Sequence, residues 1–165
     1  MWCGGREAAA PVRPVRSQAP ATREEDDVPV QHHIRPAGMP PVNGYSHAVA
    51  AVGTLVAVSG QVPLDASGAL VGGRGPAGTP ADPEAQVRQV FENLGAALTA
   101  AGAGWNDVAK LTVFLTDLAD LPIFRAVRDE FVDTGRPPAC SLVQVAALVH
   151  PEFRVEIDAL AVVSG

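Results

Sequence analysis

Glu156 and Asp158 stand two residues apart in Arg154-Val-Glu-Ile-Asp-Ala-Leu-Ala161, so in an extended strand both carboxylates project from one face. Two carboxyl groups sharing a site push one pKa up, which suits proton transfer to or from a bound water; Asp158 also reads as a polar residue at a subunit contact. Cys140, in Arg136-Pro-Pro-Ala-Cys-Ser-Leu-Val-Gln-Val145, is a second reactive candidate. A nucleophilic thiolate needs a base or cation beside it, which His47 or His150 would have to supply. A small buried thiol is the plainer reading. Arg125 sits at the edge of an apolar stripe formed by Phe124, Val127 and Phe131. Its stem can run along that surface and present the guanidinium to a cleft as an anion clamp, or it can pair with Asp129 at i+4 on the helix exterior. Tyr45, the single tyrosine, follows Gly44 where a strand is expected to start, which places a phenol at a sheet edge.

Other combinations carry less. His32, His33, His47 and His150 have no metal-ligand spacing, and no metal is expected. Gly72-Gly-Arg-Gly75 lacks the Gly-Lys-Ser/Thr ending and the strand-to-helix setting of a phosphate loop. The formal net charge is −6 and Lys110 is the only lysine, so the chain has no basic run to match a phosphate backbone, and nucleic acid is not an expected partner. The two cysteines, Cys3 and Cys140, lie far apart, no disulfide between them is expected, and a reducing, cytoplasmic setting fits. No stretch approaches the roughly 20 apolar residues of a membrane span, and the N-terminus lacks the apolar centre of a secretory signal.

These candidates need elements to position them. Residues 1–30 are rich in Ala, Pro and Arg before Glu24-Glu-Asp-Asp27, with no periodicity, and are expected to be a disordered extension preceding a single domain over 31–165. Ordered sequence is expected from about Ile34. Leu55–Ser59 reads as a buried strand between Gly53 and Gly60, followed by Gln61–Leu64 and a turn at Asp65-Ala-Ser-Gly68. Residues 71–81 read as loop. Asp82 as N-cap, Pro83 at the first helical position and Val87, Val90, Phe91, Leu94 and Leu98 at helical spacing predict a helix that ends at Gly102 and Gly104. Leu111, Val113 and Leu115 alternate with polar residues and Phe114 in a strand over Lys110–Thr116. A second helix starts at Asp120 and Pro122, and strands follow at Leu142–Leu148 and Arg154–Val163. In the last strand Val155, Ile157, Ala159 and Ala161 share one face and Glu156, Asp158, Leu160 and Val162 the other. The order predicts an α+β layer, a mixed β-sheet with two α-helices packed on one face. Apolar residues on both sides of the last strand predict that the other face is covered by another subunit.

Several ordered pieces between Pro36 and Val163 resemble the Rid family (reactive intermediate deaminases, YjgF-like). They are Tyr45-Ser46, Val58-Ser-Gly-Gln-Val-Pro63, the Gln86–Leu98 helix with Glu92-Asn-Leu94, Lys110-Leu-Thr-Val-Phe-Leu-Thr-Asp117, Pro138-Ala139 and Val155-Glu-Ile-Asp-Ala159. The resemblance implies a chorismate-mutase-like fold, a homotrimer, and pockets in the clefts between subunits. It implies hydrolysis of small enamines and imines, such as 2-aminoacrylate, to a 2-oxo acid and ammonia, with no metal or organic cofactor. By the same resemblance Glu156 falls on the glutamate that orients water, Tyr45 on a pocket tyrosine, and Ser59-Gly60 on a Ser-Gly whose backbone lines the pocket. Leu142 falls on a position often held by cysteine, Arg125 on one often held by asparagine, and Cys140 on the arginine that binds the substrate carboxylate. Losing a bidentate, charge-assisted contact costs roughly 1.5–3 kcal/mol. Two readings follow: a hydrolase whose substrate differs because Cys140 replaces the arginine, or a non-catalytic trimeric protein that binds a small molecule or assists a pathway. Ribonuclease activity is disfavoured by the acidic charge.

Overall fold

The computed structural model describes residues 30–75 and 81–164. The expected disordered extension therefore lies outside the described residues, except for Val30. Strand β1 (Val30–His33) pairs antiparallel with β2 (Ala48–Ala51) in a two-stranded sheet. The main sheet contains β3 (Thr54–Gln61), β4 (Val108–Leu115), β5 (Ala139–Gln144) and β6 (Val155–Val163) in the order β3-β6-β4-β5. Its β4–β5 pair is parallel and the other two pairs are antiparallel. Helix α1 (Pro83–Ala100) follows β3, and α2 (Leu121–Phe131) makes the crossover from β4 to β5. The sheet is mixed and carries both helices on one face, as the order of elements predicts.

The helices form where side chains and spacing agree. The Asp82 carboxylate accepts from the Ala85 amide and Pro83 starts α1, satisfying a donor that the helix itself leaves free. Val87, Val90, Phe91, Leu94 and Leu98 are buried against Leu111, Val113, Leu115, Val155, Ile157, Ala159 and Ala161. Phe91 stacks on Phe131 at a centroid distance of 5.2 Å and sits 6.1 Å from Phe124, which locks α1 to α2. Among the described residues the other sheet face carries no helix. Leu55 there is 64% exposed and Leu160 is 39% exposed.

Three details differ from the sequence expectation. A strand already runs from Val30, four residues before Ile34, because β1 is held by pairing with β2 and by a single buried residue, Val30, in place of an apolar alternation. The strand expected at Leu142–Leu148 lies earlier, at Ala139–Gln144, because its pairing with β4 runs from Lys110↔Ala139 to Leu115↔Gln144 and β4 ends there. Tyr45 does not start a strand; Gly44 at φ 71° turns the chain, and Ser46 makes one parallel bridge to Ala139 before β2 begins at Ala48.

Two buried polar arrangements fix the start of β6. Gln86 is 0% exposed; its amide nitrogen donates to the carbonyls of Gly72 and Glu152 at 3.1 and 3.0 Å, and its oxygen accepts from the Arg154 amide at 2.9 Å. Arg154 Nε donates to the buried Asp120 carboxylate at 2.6 Å, joining the residue that caps the start of α2 to the residue before β6. A buried polar group is tolerable when its partners are complete.

Candidate functional site

Glu156 lies in β6 opposite Phe114 of β4, so it projects from the open face of the sheet, away from the helices. Its neighbour on that face comes from β3. Pairing between β3 and β6 is regular from Thr54↔Val163 to Val58↔Ala159 and resumes at Gln61↔Ile157. Ser59 and Gly60 thus span an interval that Asp158 alone spans in β6, which is a β-bulge, a device that re-aims local groups. The bulge brings Gly60 against the Glu156 carboxylate: a Cβ built on Gly60 would lie 2.2 Å from Glu156 Oε1. The missing Cβ leaves the room that this oxygen occupies. Ser59, Gly60, Glu156 and Asp158 are therefore one local group, placed by two strands and a bulge.

Cys140 and Leu142 occupy the other side. They pair with Leu111 and Val113, both fully buried toward the helices, and pack at the margin of that core. Within one chain the sheet itself separates them from Glu156 and Gly60. Burial pushes the Cys140 thiol above its ordinary value, with the nearby positive charges of Arg128 and Lys110 acting in the opposite direction. Neither histidine that a nucleophilic reading needs is committed to it. The His47 ring nitrogen meets the Pro40 carbonyl at 3.0 Å, and His150 lies against Phe153.

One of the two cations acting on Cys140, Arg128, is not a residue that the sequence singled out. Phe124, Val127, Arg128 and Phe131 follow helical spacing along the inner stripe of α2, and Arg128 is 3% exposed. A charged residue within a stripe of apolar spacing was the available signal. Its Nε and Nη2 both donate to Asp129 Oδ1 at 2.8 and 2.6 Å, and its Cζ stands 5.7 Å over the Phe124 ring. This corrects the expected i+4 partner of Asp129, because Arg128 takes that carboxylate. Arg125 is half-buried and makes no hydrogen bond or ion pair among the described residues. The Arg128 guanidinium also packs against Gly44, where any Cβ would collide with Nη2. The bridge from Ser46 to Ala139 sets Tyr45, whose ring meets His47 edge-on at 5.6 Å, beside the start of β5. Gly44, Tyr45, Arg128 and Cys140 make a second group at the edge where α2 meets β5.

Comparison with known proteins agrees with this architecture. Residues 36–163 match the family described as endoribonuclease L-PSP. A RutC family protein of Synechocystis sp. is 41% identical over 122 residues, covering 74% of this chain and 88% of that relative. The 2-iminobutanoate/2-iminopropanoate deaminase of Salmonella typhimurium is 36% identical over 113 residues, covering 67% of this chain and 81% of that protein. A crystal structure of a Rid family protein of unknown function from Yersinia pestis superposes with a TM-score of 0.70 at 34% identity, covering 82% of this chain and 99% of that one.

Proposed function

The chain belongs to the endoribonuclease L-PSP (YjgF/RutC/Rid) family, and from that membership we propose that it is a hydrolase of small enamines and imines, releasing ammonia and a 2-oxo compound. The observation that carries this reading is the Glu156 carboxylate held against the Gly60 bulge on the open sheet face. The chemistry asks little more. The imine carbon is already electrophilic. Water adds to it while Glu156 accepts a water proton, giving a carbinolamine; the nitrogen takes up a proton and leaves as ammonia as the carbonyl forms. With 2-iminopropanoate, the imine tautomer of 2-aminoacrylate, one water enters and pyruvate and ammonia leave. The Ser59 and Gly60 backbone would bound the site, and Tyr45 would form a wall.

The two groups of residues lie on opposite faces of one chain's sheet, so a single copy does not enclose a pocket from both. A homotrimer, in which the open face of one copy meets the α2–β5 edge of the next, would unite Glu156 and Gly60 with Tyr45, Arg125, Cys140 and Leu142 of its neighbour. Exposed Leu55 and Leu160 on the open face support such a partner. Generating 2-aminoacrylate in situ and following ammonia release tests the reading; a rate equal to that of buffer excludes this chemistry.

Cys140 favours the second reading, a trimeric binder without turnover. A buried thiol whose pKa is raised is neutral near pH 7 and supplies no charge where the family carries arginine. Binding of a 2-oxo acid without ammonia release would select it. RNA cleavage is disfavoured by the net charge of −6.

A further inference from the structure

The absence of arginine at position 140 leaves open which group holds an anionic substrate. We infer that Arg128 is that group: its guanidinium, carried on α2 and laid against Gly44 beside Cys140, is the carboxylate-binding cation of this site. The inference rests on the reading that the site takes small 2-imino or 2-oxo acids.

Three observations converge on Arg128. First, its position is costly without a use. A guanidinium at 3% exposure on the inner stripe of a helix is removed from water, and burying such a charge is unfavourable unless its donors are employed. Second, its donors are only partly employed. An arginine offers five N–H groups in a planar fork, whereas the described bonds send Nε and Nη2 to the same oxygen of Asp129. Nη1 has no hydrogen bond among the described residues, so part of the fork is uncommitted there. Third, the surroundings leave space for the fork. Gly44 has a positive φ of 71° and no side chain, and an alanine there would collide with Nη2, Cζ and Nη1 together.

The small Cys140 side chain completes the argument. Arg128 packs on Gly44, and Ser46, two residues on, bridges to Ala139, the neighbour of Cys140, so the guanidinium delivered from the helix lies near the strand position where a longer basic side chain would otherwise project. A planar carboxylate matches the planar fork, and a fork exceeds a point charge in holding it.

The test uses the full chain and measures binding of pyruvate and of its neutral amide, pyruvamide, by calorimetry. Wild type should bind pyruvate more tightly than pyruvamide. Arg128→Met should lose about ten- to a hundred-fold in pyruvate affinity while pyruvamide binding is unchanged, and Arg128→Lys should fall between. Cys140→Arg added to Arg128→Met should restore pyruvate binding, a gain that damage to the fold cannot produce. Unchanged pyruvate affinity in Arg128→Met or Arg128→Lys overturns the assignment. Wild type that ignores pyruvate overturns both the assignment and the substrate class. Arg128-dependent binding without ammonia release keeps the assignment and removes the catalytic reading.

Discussion

Gly60 and Glu156 define the smallest scale at which the account can fail. The carboxylate occupies the space where a Cβ at position 60 would stand. Because that oxygen ends a flexible side chain, Gly60→Ala should displace the carboxylate without breaking the sheet. Ammonia release should fall by roughly ten-fold or more, on the scale of losing a placed proton acceptor, with the melting temperature nearly unchanged. Cys140 makes a separate statement. Its thiol pKa is raised by burial, so the thiol is protonated at neutral pH, and any contribution of that shift to stability is present below the unfolded value and lost as pH rises through the folded one. In a Cys3→Ser background, alkylation of folded protein should be slow at pH 7 and its rate should still climb above pH 9.0, the ordinary value. A plateau near pH 7 would mean an activated thiolate instead. The sheet face that Glu156 occupies was legible from strand alternation, whereas its role with water came only from the family resemblance. Arg128 was not legible, although its spacing from Phe124 and Val127 was in plain view, because a charged residue on an apolar stripe reads first as a surface residue.

At the scale of elements, the positions of the reactive groups depend on how β6 begins. Gln86 ties α1 to the Gly72 and Glu152 carbonyls and to the Arg154 amide, two residues before Glu156. Gln86→Leu keeps the volume near and removes all three bonds, leaving buried backbone groups unpaired, so it should lower stability by about 2–4 kcal/mol, read as a shift in the denaturant midpoint. A change below roughly 0.5 kcal/mol, the usual range for an inert surface substitution, would show that these bonds do not hold the strand. Both helices, β4 and β6 were legible because spacing, caps and alternation agreed. The bulge at Ser59-Gly60 was not, since it arises from pairing with β6 and not from local preference. The displaced β5 has the same cause: its register is dictated by β4, and Val143 to Leu148 looks equally strand-like in isolation. β1 offered one buried residue in four and so no pattern to detect.

The whole molecule raises the question of what covers the open sheet face. Leu55 and Leu160 lie there, and the proposed cover, a second copy of this chain, would also supply the half of the site that one chain lacks. Leu160→Asp should convert an assembly of three 17.0 kDa chains into single chains in sedimentation, and should abolish turnover while leaving Glu156 in place. A variant that stays assembled and active would contradict the shared site. The reading of the open face came from apolar residues on both sides of β6, but sequence alone did not reveal that the candidate residues fall on opposite faces. That division emerges only when the pairing of Cys140 with Leu111 is set beside that of Glu156 with Phe114. The measurement that tests the central claim most directly is steady-state ammonia release from 2-aminoacrylate generated in situ, with wild type beside Glu156→Gln. The account predicts release well above buffer for wild type and a fall of roughly a hundred-fold or more in kcat for the variant. Equal rates for the two proteins would contradict it.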